Sequence, residues 1–391
     1  MEKRSLSLVL MSSSHAMNHV YQLLTPIIVS QIASEYLLSN AVAGIIVSVY
    51  SLSYALLQTV SGLLSKSLGR KNTIIVGFVI TSAAFLVLGF VNNLILFAIV
   101  LFIAGMGGST YHPNGMPLLA EYYEENRGQA AGFHQTGGSL GSFVAPLVIG
   151  PLVVILNWRL TIAVLAIPGI VLSLVLWLLL VEPKQQAAEN SHEQQANQSK
   201  KVNLKMYGSS LIFIGAALLY TVGIRGVDSL GVLYFQRGRG ITDYVEATFL
   251  FSMFKVAGLF SAPICGKLSD ILGRKKAIAF LVCIEAASLY TLTLVPNSLL
   301  IAPCLVFGFA SFGLLAITDA FLADITPKEY MATVFGLNFT LTFFTQVIIP
   351  PIFGAIVDYT KSFDIEFVIL SAIVLFSIPV LSKVKAKTTS K

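Results

Sequence analysis

Gly62-Leu63-Leu64-Ser65-Lys66-Ser67-Leu68-Gly69-Arg70-Lys71 and Gly266-Lys267-Leu268-Ser269-Asp270-Ile271-Leu272-Gly273-Arg274-Lys275 are two versions of one segment, 204 positions apart. The same displacement pairs Gly132 with Gly336, Pro146 with Pro350 and Gly150 with Gly354. A single copy would mean only a tight, basic turn. Recurrence at one fixed offset, across loops and helices, means a duplicated structural unit. Apolar runs flank both copies, so the unit being repeated is a set of membrane-spanning helices.

Composition agrees. The 391 residues are 55% hydrophobic and only 11% charged, with mean hydropathy +0.81. Soluble domains carry about 25% charged residues; a water-soluble chain of this size could not cover its surface with so few. A bilayer core needs about 20 mostly apolar residues per helix. Such runs occur near 8–32, 42–65, 72–91, 94–119, 128–154 and 159–181, then near 206–233, 245–267, 276–295, 298–321, 331–355 and 365–383. The expected fold is therefore an all-α membrane protein of twelve helices in two pseudo-symmetric six-helix bundles. The bundles are expected at 1–181 and 206–391, joined by a polar cytoplasmic tether at 182–205 with too little apolar character to build a core. The first apolar run is already long enough to span and reads as a retained helix, not a cleaved leader.

The net charge of +6 does not point to nucleic acid, because the basic residues sit in short loops between spans. With both termini in the cytoplasm, 19 of the 25 Lys and Arg fall inside, and only Arg159, Arg237, Arg239 and Lys361 fall outside. That bias predicts cytoplasmic termini in a cell membrane. Cys265, Cys283 and Cys304 lie in apolar segments without metal-ligand spacing and read as packing residues. There is no phosphate-binding loop, nucleophile motif or metal cluster, so neither an enzyme nor direct ATP drive is expected, and no cofactor.

Polar groups inside spans are costly and therefore informative. His15, Asn18, His19 and Gln22 stand at i, i+3, i+4 and i+7, on one helical face. The stripe must line a cavity or another helix; interhelical hydrogen bonding is the plain alternative to a functional role. Span 4 carries Gly107-Gly108-Ser109-Thr110-Tyr111-His112-Pro113, where the proline is expected to break the helix and free carbonyls. Span 5 carries His134 and Gln135 ahead of a small-residue stripe. In the second half Arg225 and Asp228 can pair locally at i, i+3, whereas Lys255 has no acid on its own helix and must pair across the bundle. Glu285 lies on span 9, where a peripheral helix often faces lipid, so its carboxyl is expected to be protonated or paired; Asp319 is expected near the inner interface. Asn338 and Gln346 lie on span 11 beside Pro350 and Pro351. Gly62, Lys66, Gly69, Arg70, Gly266, Asp270, Gly273 and Arg274 in the repeated loops, with Glu121, Glu124, Glu125 and Arg127 after span 4, form the candidate inner gate.

The repeated loop resembles the signature of the major facilitator superfamily, Gly-x-Leu-x-Asp-x-x-Gly-Arg-Lys/Arg. The second copy is intact; the first has Lys66 in place of the acid. The resemblance implies an inter-half latch kept at Asp270 and rewired at Lys66. His15-x-x-Asn18 with Pro26, His112-Pro113, and Gly137-Gly138-x-x-Gly141 leading to Pro146 further resemble the fosmidomycin-resistance-like exporters. His19 stands where that branch carries an acid, which removes the carboxyl that the resemblance would assign to proton coupling.

These readings imply a secondary transporter of a small solute, anionic by the cationic character of its site, working as a monomer by alternating access. Proton-coupled efflux of drugs or organic anions is the leading expectation, and proton-coupled import of organic acids or sugars is the alternative. A non-transporting membrane sensor would need a sizeable soluble domain, and 182–205 is the longest polar segment.

Overall fold

The computed structural model describes residues 3–123, 126–181, 208–327 and 330–385, and every long element among them is helical. Twelve spans follow one another: α1 Lys3–Glu35, α2 Asn40–Leu68, α3 Arg70–Leu88, α4 Leu94–Tyr122, α5 Arg127–Leu156, α6 Trp158–Leu179, α7 Gly208–Gly238, α8 Tyr244–Leu272, α9 Arg274–Leu294, α10 Ile301–Ile325, α11 Met331–Thr360 and α12 Phe363–Ser382. The expected tether at 182–205, with Glu124 and Glu125, lies outside the described residues.

Among the described residues eleven spans are long and apolar enough to cross a membrane, and α1 is the exception. Its polar stripe is the reason, and the bundle covers that face: His15 and Asn18 are 2% and 1% exposed.

Chain reversals differ between the two ends. At one end side chains of Ser39, Asn93, Asn157, Asp243 and Ser362 cap the first turns of α2, α4, α6, α8 and α12, satisfying amides that a helix start leaves free. At the other, basic end the repeated loops turn at Gly69 (φ 80°) and Gly273 (φ 84°). A Cβ is strained there, which explains glycine at both equivalent positions.

Within the first bundle α1 packs on α5, and α3 on α4 and α6; within the second, α9 packs on α10 and α12, and α7 on α12. The bundles meet through α2 with α11, α5 with α8, and α1 with α7. Lipid gives helices no hydrophobic reason to associate, so close packing of small residues must supply the contact. A Cβ on Gly44 would lie 2.3 Å from the Pro350 carbonyl oxygen, one on Gly354 2.2 Å from that of Asn40, and one on Gly150 2.0 Å from Thr248 Oγ1. All three contacts join the halves near the capped end. Asp358 of α11 reinforces them by accepting hydrogen bonds from the Asn40 and Ala41 amides and the Asn40 side chain at 2.8–2.9 Å, a carboxylate at the amide-rich start of α2. Deeper in, Ser48 Oγ donates to the Val347 carbonyl at 2.7 Å and Tyr54 stacks on Phe343 with ring centroids 5.4 Å apart.

The basic end is different. A Cβ on Gly132 or Gly336 would meet nothing within 4 Å. The repeat thus places one glycine pair, 150 and 354, against the opposite half and the other, 132 and 336, in open space. The halves are closed at the capped end and parted at the basic end. Asp358→Ala is expected to loosen the closed end, seen as faster maleimide labelling of an introduced Val347→Cys; unchanged labelling would remove Asp358 from the lock.

Candidate functional site between the halves

α4 is two helical pieces, Leu94–Gly108 and Tyr111–Tyr122. The interruption falls at Ser109 and Thr110, earlier than the expected break at Pro113, because proline removes the amide that would bond to the carbonyl four residues before it. That carbonyl, on Ser109, accepts from Ser61 Oγ at 3.3 Å. The Gly108 carbonyl accepts from Asn18 Nδ2 at 3.2 Å. Freed backbone inside the bundle is satisfied by neighbouring helices, and the break holds His112 against α1.

Four histidines from three helices converge there. His15 Nδ1 lies 2.8 Å from the His134 carbonyl oxygen, and His15 Nε2 lies 3.1 Å from His19 Nε2. The His15 ring stacks on that of His134 with centroids 4.2 Å apart and meets His112 edge-on at 5.3 Å. Ser142 Oγ is 3.1 Å from His19 Nδ1. Tyr111 donates its hydroxyl to the Met11 carbonyl at 2.5 Å and lies 2.9 Å from His134 Nε2. Close approach of α5 to α1 makes this possible: a Cβ on Gly138 would lie 2.5 Å from the His15 ring. Gln135 does not join the cluster. One residue along α5 is about 100° round the helix, and its side chain is exposed.

Asn18 and Gln22 form a separate network with Tyr54, a residue the sequence reading did not single out. Gln22 Nε2 donates to Asn18 Oδ1 at 2.5 Å and to Tyr54 Oη at 3.2 Å, and Tyr54 donates to Asn18 Oδ1 at 3.3 Å. Asn18 is fully engaged and serves as interhelical glue.

On the opposite half Asp228 pairs with both Lys255 of α8 and Arg225 on its own helix, and more closely with Lys255. Lys255 Nζ forms a short ion pair with Asp228 Oδ1, while Arg225 stays 3.8 Å from Oδ2. The local pair expected at i, i+3 is therefore the weaker contact, because the buried ammonium, 3% exposed, has the greater need of a partner. Phe251 and Phe312 place their rings 5.3 and 5.6 Å from that ammonium. Arg225 Nε has no hydrogen-bond partner. The helices that carry the histidines pack on those that carry the charges, α1 on α7 and α5 on α8, so the two clusters lie on adjoining helices of opposite halves.

Asn338 is buried with its side-chain oxygen unpartnered, and Gln346 is half-buried; neither hydrogen-bonds to the histidines or to Arg225. Glu285 does not face lipid. It is 1% exposed and accepts from Ser311 of α10 at 2.9 Å, in space left by Gly223 of α7. Asp319 is exposed. Glu366 on α12 was missed: it is fully buried with neither oxygen partnered. An acid within an apolar span was the available signal. Cys265 and Cys304 are buried as expected for packing, but Cys283 is exposed.

In the repeated loops Arg70 pairs with Glu121, and Arg274 lies 2.9 Å from Asp270 and 3.4 Å from Asp324. Equivalent arginines thus tie each loop to the end of α4 or α10 within its own half. Among the described residues Asp270 makes no ion pair with the first half, where the expected inter-half latch would lie; its partner is Arg274. Lys66 and Arg127 are exposed, and Gly62 and Gly266 are half-buried.

The sequence model of the Major Facilitator Superfamily matches residues 9–350 and 243–390. Multidrug resistance protein MdtG of Rahnella sp. (strain Y9602) is 25% identical over 343 residues, covering 86% of this chain and 82% of that protein. The probable galactarate/D-glucarate transporter GudP of Bacillus subtilis (strain 168) is 24% identical over 372 residues, covering 86% and 81%. Among solved structures, a bacterial homologue of the human lysosomal transporter Spinster, inward-facing and unoccupied, superposes with TM-score 0.76 at 15% identity, covering 98% of this chain and 95% of that one. A duplicated six-helix unit, halves meeting through α2 with α11 and α5 with α8, and a family match spanning nearly the whole sequence lead to one conclusion: the chain is a transporter of the Major Facilitator Superfamily, and not an enzyme.

Proposed function

We propose that this transporter moves a small organic anion across the cell membrane coupled to protons, with its basic end in the cytoplasm, so that the state described is open inward. The supporting observation is the arrangement of Arg225, Asp228 and Lys255. Asp228 occupies Lys255 and leaves an Arg225 nitrogen without a partner, opposite a cluster of imidazoles. An anion arriving at Arg225 competes with Asp228 for positive charge. Protonation of Asp228 releases Lys255 to the anion, so proton and anion favour each other's binding. Such linkage is reciprocal and suits movement of both in one direction, as in import of an organic acid. Relatives that carry sugar acids support this form. The efflux form, with solute leaving as protons enter, has its own support in the relatives named for multidrug resistance and in the likeness of α1, α4 and α5 to the fosmidomycin-resistance-like branch. In either form a monomer suffices, with bundles 1–181 and 206–391 rocking about the site and 182–205 as their tether.

The test is solute flux in vesicles reconstituted with the full chain under an imposed pH gradient. Accumulation of galactarate or glucarate toward the alkaline side supports co-transport, and accumulation toward the acidic side supports exchange. Arg225→Gln is expected to lower either flux at least tenfold. Lack of proton-linked flux with organic anions of any kind, or full activity in Arg225→Gln, would defeat the proposal.

A further inference from the structure

Polar contacts tie His15 and His19 to each other and to fixed groups. A carbonyl oxygen only accepts, so His15 carries a proton on Nδ1, facing the His134 carbonyl, and a neutral His15 offers the Nε2 lone pair. The Ser142 hydroxyl lies 3.1 Å from both the Gly138 carbonyl and His19 Nδ1. When it donates to His19, a proton on His19 Nε2 bridges to His15 Nε2 at 3.1 Å. When it donates to Gly138, His19 holds its proton on Nδ1 and both Nε2 lone pairs turn to one point, where a cation can take the place of the bridging proton. In a tetrahedral zinc site, bonds of about 2.0–2.1 Å set ligand nitrogens about 3.3 Å apart, close to the spacing seen here. His112 supplies a third nitrogen, with one ligand atom from each of the three residues within 4.8 Å of the others, and among the described residues no group hydrogen-bonds its ring. Closing His112 onto the pair needs a shift of about 1.5 Å, within reach of a side-chain adjustment.

We infer that His15, His19 and His112 form a binding site for a divalent transition-metal cation of the zinc class. Imidazole suits such ions, and three protein ligands leave further coordination positions open. The His134 carbonyl and Ser142 play the outer-shell part that fixes the tautomer of metal-bound histidines; they are positioning groups. Arg225 and Lys255, on the other half, share the single carboxylate of Asp228. Their net charge of one opposes the ion, and an anion bound between them would relieve that opposition.

The experiment uses the full chain, purified without a polyhistidine tag, stripped with chelator and titrated with Co²⁺ as a spectroscopic probe, then with Zn²⁺ in competition. The expected result is one Co²⁺ per chain with the visible bands of a four- or five-coordinate nitrogen site, displaced by Zn²⁺. His19→Ala and His112→Gln should each weaken uptake at least tenfold, and Ser142→Ala about 10–100-fold, with elution and thermal midpoint showing that each variant is folded. The chain has five histidines; the fifth is His192, and His192→Ala should bind as the parent does. No stoichiometric band in the parent, a band surviving in both His19→Ala and His112→Gln, or loss of the band in His192→Ala overturns the site. A proton found shared between His15 and His19 by nitrogen NMR, without metal uptake, also overturns it and gives the pair to the proton. Metal uptake is read without any flux assay, so its failure is separate from failure of the transport proposal.

Discussion

Asp228→Asn is expected to destabilise the folded transporter by about 3–5 kcal/mol, the usual cost of leaving one partner of a buried ion pair uncompensated. The charge left behind is Lys255, 3% exposed and walled by Phe251 and Phe312. Arg225 cannot help, being of the same sign. The double variant Asp228→Asn with Lys255→Met removes the stranded ammonium and should recover most of the lost thermal midpoint, since replacing a buried pair by apolar groups is often neutral. Stability and transport should then separate: the double variant is stable but has lost its proton-linked flux. A double-mutant cycle in detergent, measured by thermal unfolding, gives the coupling directly. If Asp228→Asn unfolds at the parent's temperature, the ion pair is not what holds α7 to α8.

Gly44→Val should shift the conformational equilibrium instead of unfolding the protein. Its Cβ would sit 2.3 Å from the Pro350 carbonyl oxygen, a backbone atom that cannot rotate away, and overpacking of this kind costs about 1–3 kcal/mol. The clash lies between the halves, so opening the capped end relieves it. That energy moves a two-state population by roughly five- to 150-fold. Gly141→Val meets the Ala16 carbonyl at 2.2 Å, an equally hard contact, but α1 and α5 belong to one half and have nowhere to go. It should destabilise the fold. Gly132→Val is the opposite case: open space surrounds it now, and the added bulk should hinder closing of the basic end. Spin labels at the exposed positions Leu37 and Tyr359 report the capped end, and labels at Lys66 and Lys267 the basic end, in a Cys283→Ser background. Gly44→Val should lengthen the first distance and shorten the second. Unchanged distances in a folded Gly44→Val protein would show that these glycines do not set the state.

The candidate site was only partly legible in the sequence. The stripe at His15, Asn18, His19 and Gln22 is a local property, since residues three and four apart share a helical face whatever surrounds them. What each member does was not local. Asn18 and Gln22 resemble the histidines in cost and position, yet Tyr54 and the Gly108 carbonyl engage them as glue. Asp228 had a partner within reach on its own helix and took one from the next, because the buried amine had the stronger claim. Helix order placed Glu285 on a peripheral span and left its partner open; the rotation of α9 about its axis turns it toward Ser311.

From the sequence alone came the duplicated unit, by the fixed offset of its repeated loop, the number of spans, by the apolar runs, and the basic end of the bundle, by the placing of Lys and Arg. These are properties of spacing, length and charge along the chain, and they survive any rotation of a helix. The pairing of Arg70 with Glu121 and of Arg274 with Asp324, in place of a latch between the halves, was decided by the tertiary structure. So was the state of the molecule. Gly150 and Gly354 touch the opposite half while Gly132 and Gly336 do not, though the sequence presents the two pairs alike. A repeat specifies the same surface twice. Which end of it closes depends on the balance of contacts between helices far apart in the chain, where backbone meets backbone without side chains between.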